Sequence, residues 1–206
     1  YTAGLNLALE MADYSGLRLE QKHLRDQGIL MGIGLAANVE TSGFGPSGAL
    51  SMRPGYESAT VRADPGGKIT VLTGSSPHGQ GLVTAFSQIA SDQLGVPFED
   101  IEVIYGDTAI VPRGVGTYGN RSLVVGGTAI VKACERVKQK ACLIAAAMLK
   151  IDVDKIVLEN GLFRSVDSSD VMLSWADVSR EAFYPRTIPP ELERGLEATA
   201  YWEPSH

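Results

Sequence analysis

The chain has 206 residues, of which 44% are hydrophobic and 20% charged, which is ordinary for a globular protein with a substantial core. A net charge of −6 without any run of lysine or arginine argues against a nucleic-acid-binding surface. No apolar stretch is long enough to span a membrane and no leader precedes the first helix signal, so we expect a cytoplasmic protein.

The ends of the sequence favour a fragment of a longer polypeptide. There is no initiator methionine, and the chain stops soon after an alternating run from Leu196 to Trp202. We expect three segments within 1–206: a helical segment over 1–28, an α+β core over 29–150, and a hairpin with a C-terminal extension over 151–206.

The first forty residues predict helices and then a strand. Apolar residues at helical spacing predict one helix from Thr2 and a second that is capped by Ser15 and ends at Gly28. The apolar run from Ile29 to Thr41 predicts a buried strand. The glycines and proline of 43–48 then predict a loop.

The middle of the chain predicts a hairpin, a helix and a strand. Alternating residues over 56–63 and 68–73 flank a Pro-Gly-Gly turn, which predicts a hairpin. A helix is predicted from Gly81 to Gly95, followed by a strand over 101–105.

The second half begins with a long predicted helix that ends near Leu149. Its apolar stripe consists of Leu123, Ile130, Cys134, Val137, Ala141, Ile144 and Met148. Asn160-Gly161 predicts a second hairpin turn, and Ser174 with Asp177 predicts a short capped helix. Hairpins mixed with helices indicate an α+β fold with mixed sheets and packed helices rather than a strict βαβ array.

The sequence offers little to build a metal centre from protein side chains. The two cysteines, Cys134 and Cys142, are eight residues apart on one predicted helix, about 12 Å along its axis, and cannot bridge each other. Among the three histidines only His78 lies in a candidate site. Because no metal-ligand spacing or nucleophile elbow is present, demanding chemistry would have to come from a bound cofactor.

Two glycine-rich loops, each followed by a helix, are the candidate binding elements. Loop 1 is Gly74-Ser75-Ser76-Pro77-His78-Gly79-Gln80-Gly81, and loop 2 is Val111-Pro112-Arg113-Gly114-Val115-Gly116-Thr117-Tyr118-Gly119-Asn120-Arg121-Ser122. Such loops direct backbone N–H groups and the positive end of a helix dipole toward one point. Two of them predict a large anionic ligand held from two sides, although loop 1 alone is equally compatible with a plain helix entry.

Simpler nucleotide motifs do not account for these glycines. Gly43-x-Gly45-x-x-Gly48 leads into a proline instead of a helix. Gly114-x-Gly116-x-x-Gly119 precedes a helix but lacks the acidic residue expected about twenty positions later in a Rossmann site. Gly66-Gly67-Lys68 lies in a hairpin turn and lacks the rest of a P-loop.

Longer motifs resemble the xanthine dehydrogenase/aldehyde oxidase family, in its large, molybdopterin-binding subunit. They are loop 1, the helix residues 84–90 after it, Glu99-Asp100-Ile101 and Gly106-Asp107-Thr108. The block from Val111 to Gly127 looks most like the carbon monoxide dehydrogenase large-chain branch. The resemblance covers most of the chain, in matching order and spacing.

The resemblance implies a molybdenum hydroxylase that oxidises a small substrate with water-derived oxygen. It implies a molybdopterin cofactor, with the cytosine dinucleotide form favoured. FAD and [2Fe-2S] centres are expected on partner subunits or domains, together with the rest of the large subunit. It leaves the substrate undetermined, because specificity in the family lies largely outside this segment; His78 or Phe44 could approach the site without deciding it.

The resemblance also implies roles for individual residues. Gln80 matches an amide that hydrogen-bonds an oxygen ligand of molybdenum, and Thr117 to Ser122 match a loop that binds the pterin and phosphate end. The expected cofactor-binding residues are His78, Gly79, Gln80, Gly81, Thr117, Gly119, Asn120, Arg121 and Ser122, with Gln80 also the catalytic candidate and no protein ligand to the metal. Arg121 is expected to contact a phosphate, with a surface salt bridge as the plainer alternative.

Some family features are missing from this chain. Asn120 replaces the usual serine, which puts one hydroxyl contact in question. The arginine-cysteine loop of the carbon monoxide branch and the glutamate general base are not in the sequence. We therefore expect residues 1–206 alone to be inactive.

Two alternatives remain open at this point. The same loops could form a non-catalytic module for another nucleotide or anion. The first helices could also be an interaction surface that packs on other parts of the parent subunit, which is compatible with the cofactor-binding interpretation.

Overall fold

The computed structural model describes residues 1–40, 42–43, 47, 55–167 and 171–205. They belong to two compact units, Tyr1–Glu40 and Thr41–His206. No helix in these described ranges is long and apolar enough to cross a membrane.

The first unit contains helices α1 (Thr2–Met11) and α2 (Tyr14–Asp26), neither of which has a buried residue. Asp13 caps α2 and accepts a hydrogen bond from Gly16 N at 3.1 Å, so the predicted cap at Ser15 was wrong. Asp13 can reach this N–H because it adopts a left-handed backbone with φ of 45°.

The strand predicted over 29–41 is also wrong for residues 29–40, and Thr41 lies outside the described residues. These residues have no regular structure, and Leu30 and Val39 are 88% and 73% exposed. An apolar run becomes a strand only where a neighbour completes its hydrogen-bond ladder. Within the described ranges, residues 29–40 pair with no strand.

A four-stranded mixed sheet forms the centre of the second unit. Its strands are β1 (Glu57–Ala63), β2 (Ile69–Thr73), β3 (Ile101–Tyr105) and β7 (Leu196–Trp202), in the order β3-β2-β1-β7. The predicted β1–β2 hairpin is confirmed, and Asp64 Oδ1 holds its turn by accepting from Gly66 N and Lys68 N. β7 pairs antiparallel with β1, so the C-terminal residues complete the central sheet.

Strands β2 and β3 are parallel, so the chain must cross over between them. Helix α3 (Leu82–Leu94) supplies the crossover and ends at Gly95, where φ is 68°, as predicted. A short 3₁₀ turn over Phe98–Asp100 then enters β3. Because β2 and β3 run in the same direction, the segments that follow them leave from one edge of the sheet.

The long helix after loop 2 starts differently from the prediction. Ser122–Gly127 is a π-helix, and the α-helix α4 covers Thr128–Leu149. Ile130, Cys134, Val137, Ala141 and Ile144 are fully buried as predicted, but Leu123 is 54% exposed. The π-helix changes the angular step per residue, so the apolar stripe of α4 does not continue back to Leu123.

A three-stranded antiparallel sheet and a final helix complete the fold. A 3₁₀ turn at Val153–Lys155 precedes strands β4 (Ile156–Glu159), β5 (Leu162–Ser165) and β6 (Met172–Ser174). Helix α5 (Trp175–Phe183) begins with the predicted Ser174–Asp177 capping box. Helix α4 packs against β1 and β7 and against α3, so the hydrophobic core lies under the mixed sheet. The architecture is α+β, as predicted.

Candidate functional site

The two glycine-rich loops meet at one edge of the mixed sheet. Thr73 and Tyr105, the last residues of β2 and β3, are register partners, and a loop follows each of them. A Cβ on Gly114 would lie 2.5 Å from Gly74 O, and a Cβ on Gly74 would overlap Arg113 O and Gly114 Cα. Only glycine at both positions permits this backbone contact, so loops 1 and 2 touch each other.

Gln80 is the exposed tip of loop 1. It stands between Gly79 and Gly81, whose φ values of 105° and 81° are favourable only for glycine. Its Oε1 accepts a hydrogen bond from His78 N at 2.7 Å, and its Nε2 lies 3.4 Å from His78 Nε2. Because only the oxygen can accept from the His78 N–H and one amide N–H can be used toward His78 Nε2, the side chain has at least one amide N–H left to offer as a donor.

The helices that follow the loops begin without side-chain caps. Gly81 at the start of α3 and Arg121 at the start of the π-helix make no capping hydrogen bond, and neither first turn contains an acidic residue. Helices α2 and α5 are capped by Asp13 and Ser174, whereas α1, which follows no glycine loop, also lacks a side-chain cap. Uncapped N-terminal N–H groups next to glycine loops suit a ligand that carries phosphate or other acceptor oxygens.

The polar residues of loop 2 are partly engaged with one another. Ser122 is buried and its Oγ donates to Thr117 Oγ1 at 3.1 Å, while Thr117 itself is half-buried. Gly119 O accepts from Gly43 N at 2.9 Å, and Asn120 Nδ2 donates to Ser42 Oγ at 3.2 Å. The exposed Asn120 has φ of 51° and Gly119 has φ of 55°, so both form the sharp turn before the helix.

Arg121 is placed differently from both roles predicted for it. Its side chain has no exposed surface and forms an ion pair with Glu57. It also donates to the backbone oxygens of Gly116, Gly55 and Tyr56 at 3.0 to 3.2 Å. The guanidinium is enclosed within this chain. The two predictions for it, a phosphate contact and a surface salt bridge, are therefore corrected to a buried ion pair.

Glu57 is the residue that the sequence prediction missed. It precedes Ala59, Val61 and Ala63 at two-residue spacing, so it shares their buried face of β1. A carboxylate on an otherwise apolar strand face requires a buried partner, and this pattern could have revealed Arg121.

The remaining titratable residues of the described ranges add no second site. In the described ranges no three His, Cys, Asp or Glu side chains are grouped to hold a metal ion. Burial raises the pKa of Cys134 to about 12 and also raises the pKa of Cys142. His23 of α2 contacts Gln27, the residue that follows this helix, whereas Phe44, Gly45, Gly48 and His206 lie outside the described residues.

Comparison with known proteins identifies the class to which this fold and these loops belong. The chain matches the family described as "Molybdopterin cofactor-binding domain" over residues 7–206, and it belongs to that family. It is 35% identical to the carbon monoxide dehydrogenase large chain of Hydrogenophaga pseudoflava over 99% of this chain and 26% of that protein. It is 34% identical to the nicotine 6-hydroxylase large subunit of Paenarthrobacter nicotinovorans over 95% of this chain and 24% of that protein.

A solved structure gives the same result at the level of the fold. Reconstituted CO dehydrogenase from Oligotropha carboxidovorans superposes with a TM-score of 0.74 at 32% identity, over all of this chain and 26% of that one. The resemblance predicted from the motifs is thus confirmed. This chain spans about a quarter of the length of these relatives, two of which are named as a large chain and a large subunit.

Proposed function

We propose that this chain is the cofactor-binding segment of a molybdenum hydroxylase large subunit, in which loops 1 and 2 hold a molybdopterin from two sides. The observation that carries the proposal is the backbone contact between Gly74 and Gly114, which joins the two loops at one sheet edge. The uncapped helix starts beside both loops fit the phosphate groups of a dinucleotide form, for which we favour the cytosine dinucleotide.

Gln80 is the residue we assign to the reacting end of the cofactor. Its oxygen is occupied by His78 N–H and its Nε2 lies within hydrogen-bond distance of His78 Nε2, so this orientation leaves at least one amide N–H for an oxygen acceptor. His78, Gly79 and Gly81 would fix this orientation, since both glycines have positive φ and the histidine N–H holds the amide. When bound, the cofactor would supply the two-electron chemistry of substrate oxidation.

Loop 2 would hold the other end of the cofactor. Thr117, Gly119 and Asn120 would offer a hydroxyl, backbone N–H groups and an amide. Ser122 would act through its hydrogen bond to Thr117. Arg121 would contribute by holding the loop from within and not by a side-chain contact with phosphate.

The full protein would be an oxidoreductase that acts with further subunits. FAD and [2Fe-2S] partners would accept the electrons, in a cytoplasmic complex with the rest of the large subunit. The relatives named for carbon monoxide and for nicotine match this chain almost equally well, so we assign no substrate beyond a small molecule.

The first experiment expresses the full-length parent subunit with its partners and measures molybdenum by mass spectrometry and the nucleotide released by acid. We expect about one molybdenum and one cytosine nucleotide for each large subunit. A purified complex that contains another nucleotide and no molybdenum would support an unrelated anion-binding module instead.

The second experiment replaces Gln80→Glu, which keeps the shape of the side chain but removes the amide donor. Loss of one oriented donor to the reacting centre typically lowers kcat by about 100-fold, and we expect this loss with cofactor content unchanged. The matched control is Gln139→Glu, the same change at an exposed position of α4, which should leave kcat unaltered. Equal kcat values for the two variants would exclude Gln80 from the reaction.

A further inference from the structure

The first two residues of β1 are buried and bind loop 2. Glu57 Oε1 accepts hydrogen bonds from Val115 N at 3.0 Å and from Gly116 N at 3.2 Å. Ser58 Oγ donates to Arg113 O at 2.5 Å and accepts from Arg113 N at 3.1 Å. Both residues have no exposed surface. The segment 113–116 is therefore fixed along its backbone by two consecutive strand residues.

Arg121 fixes the other end of loop 2. It pairs with Glu57 and donates to the carbonyl oxygens of Gly55 and Tyr56, directly before β1. We call Glu57, Ser58 and Arg121 the β1 clamp. With these contacts, loop 2 is attached to the start of β1 at two places, the segment 113–116 and Arg121.

The β1 clamp also contacts loop 1. Ser58 O accepts from Gly74 N at 3.4 Å, while the Ser58 side chain holds Arg113. Glu57 Oε2, which has no hydrogen-bond partner among the described residues, lies 2.5 Å from where a Cβ on Gly74 would stand. A single strand end thus contacts both glycine loops.

We propose that the β1 clamp is the positioning element of the cofactor site, and that it fixes the separation of loops 1 and 2 without touching the cofactor. This rests on the proposed function. A buried ion pair often adds little net stability compared with apolar side chains of similar size, so its role here is to define loop geometry. The clamp residues act through Arg113, Val115, Gly116 and Gly74.

The main test is Ser58→Ala in the full-length subunit with its partners. The first readout is trypsin cleavage between Arg113 and Gly114 in protein prepared without molybdate. Since proteolysis follows the population of the opened segment, losing two hydrogen bonds should speed this cleavage about tenfold. The second readout is molybdenum and nucleotide content after growth with molybdate, which should fall to less than half.

The matched control is Ser179→Ala, which removes another fully buried hydroxyl. Ser179 Oγ has no hydrogen-bond partner among the described residues and lies on α5, a helix that follows neither loop. This variant should keep the wild-type cleavage rate at Arg113 and full cofactor content. Unchanged cleavage in Ser58→Ala, or faster cleavage with full cofactor content, would overturn the proposal.

A second pair of variants separates loop anchoring from general stability. Glu57→Gln/Arg121→Met removes the charges but keeps an acceptor for Val115 N and Gly116 N, whereas Glu57→Leu/Arg121→Met removes that acceptor too. Neither double variant leaves a buried charge without its partner, because each removes the carboxylate and the guanidinium together. We expect the Gln variant to hold severalfold more molybdenum than the Leu variant. This difference should persist when each variant is measured at a temperature the same number of degrees below its own Tm.

If the cofactor content of these two double variants follows only their Tm values, the β1 clamp has a merely structural role, and the proposal is overturned. Failure of the proposed function is distinguishable, because the wild-type complex would then contain neither molybdenum nor dinucleotide. The cleavage rate at Arg113 would still report on the β1 clamp.

Discussion

Glu181 shows how one carboxylate organises a whole turn after α5. Its Oε1 accepts from Arg186 N, Thr187 N, Thr187 Oγ1 and Ile188 N at distances from 2.5 to 3.1 Å. Burial by itself would raise its pKa, but the N–H groups of Thr187, Arg186 and Ile188 and the Thr187 hydroxyl outweigh burial, and the pKa is lowered. The folded state therefore favours the ionised form of this side chain.

This dependence predicts a pH effect on stability. Because the folded-state pKa lies below the ordinary value of 4.5, the stabilisation is complete well above that value and is lost as the pH falls through the lower folded-state pKa. We expect Glu181→Gln to lower the free energy of unfolding by about 2 kcal/mol at pH 7 and by progressively less below pH 4.5. Thermal unfolding of both proteins across pH 3.5–8 measures this difference, and a pH-independent difference would contradict it.

Residue 121 illustrates why the role of a single side chain was not predictable from its motif. The motif identified Arg121 as part of a binding loop, but the fold turned its guanidinium toward Glu57, which is 64 positions away. The sequence did contain the matching signal, a carboxylate on the apolar face of β1. Pairing the two required knowing that loop 2 lies against the start of this strand.

At the scale of elements, the π-helix at Ser122–Gly127 lies close to loop 1. Gly126 and Gly127 are buried there, and Phe86 of α3 lies against both. A Cβ on Gly126 would stand 2.6 Å from Ser75 Oγ, 3.6 Å from Ser75 Cβ and 3.5 Å from Phe86 Cζ. The only overlap is thus with a hydroxyl that has no hydrogen-bond partner among the described residues.

This geometry predicts a mutation and its rescue. Gly126→Ala should lower the free energy of unfolding by about 2 kcal/mol, because an inserted methyl group meets Ser75 Oγ in a closely packed region. Ser75→Ala should be nearly neutral, since no hydrogen bond is lost, and it should restore most of the stability when combined with Gly126→Ala. Denaturant unfolding of the four proteins gives the coupling energy, and additive effects would refute the close contact.

At the scale of the whole molecule, the central sheet is closed by the last strand of the chain. Leu196 and Ala200 of β7 are fully buried, and Arg136 of α4 donates to Thr199 O. The alternating run from Leu196 to Trp202, which the sequence places in the C-terminal extension, is strand β7, and it pairs with β1 along seven residues. The start of β1 carries the β1 clamp, so the candidate site depends on residues from both halves of the chain.

The whole chain is also the scale at which activity is decided. We expect residues 1–206, expressed alone, to show no oxidation of aldehydes or carbon monoxide with an artificial electron acceptor. The reason is that the general base implied by the family resemblance is not in this sequence, and the relatives are about four times as long. Turnover above that of a heat-denatured sample would contradict this expectation.

The sequence by itself determined the elements whose signals are local. The Pro-Gly-Gly and Asn160-Gly161 turns, the Gly95 helix end and the Ser174–Asp177 capping box were all predicted correctly, because their causes lie within a few residues of one another. Sequence order and spacing also identified the two glycine loops and the family to which they belong.

The tertiary structure alone decided the features that depend on distant neighbours. It left residues 29–40 without a strand partner within the described ranges, placed β7 beside β1, and buried Arg121 against Glu57. It also brought Gly74 into contact with Gly114. Strand pairing, burial and charge compensation are set by groups far apart in sequence, so no local pattern specifies them.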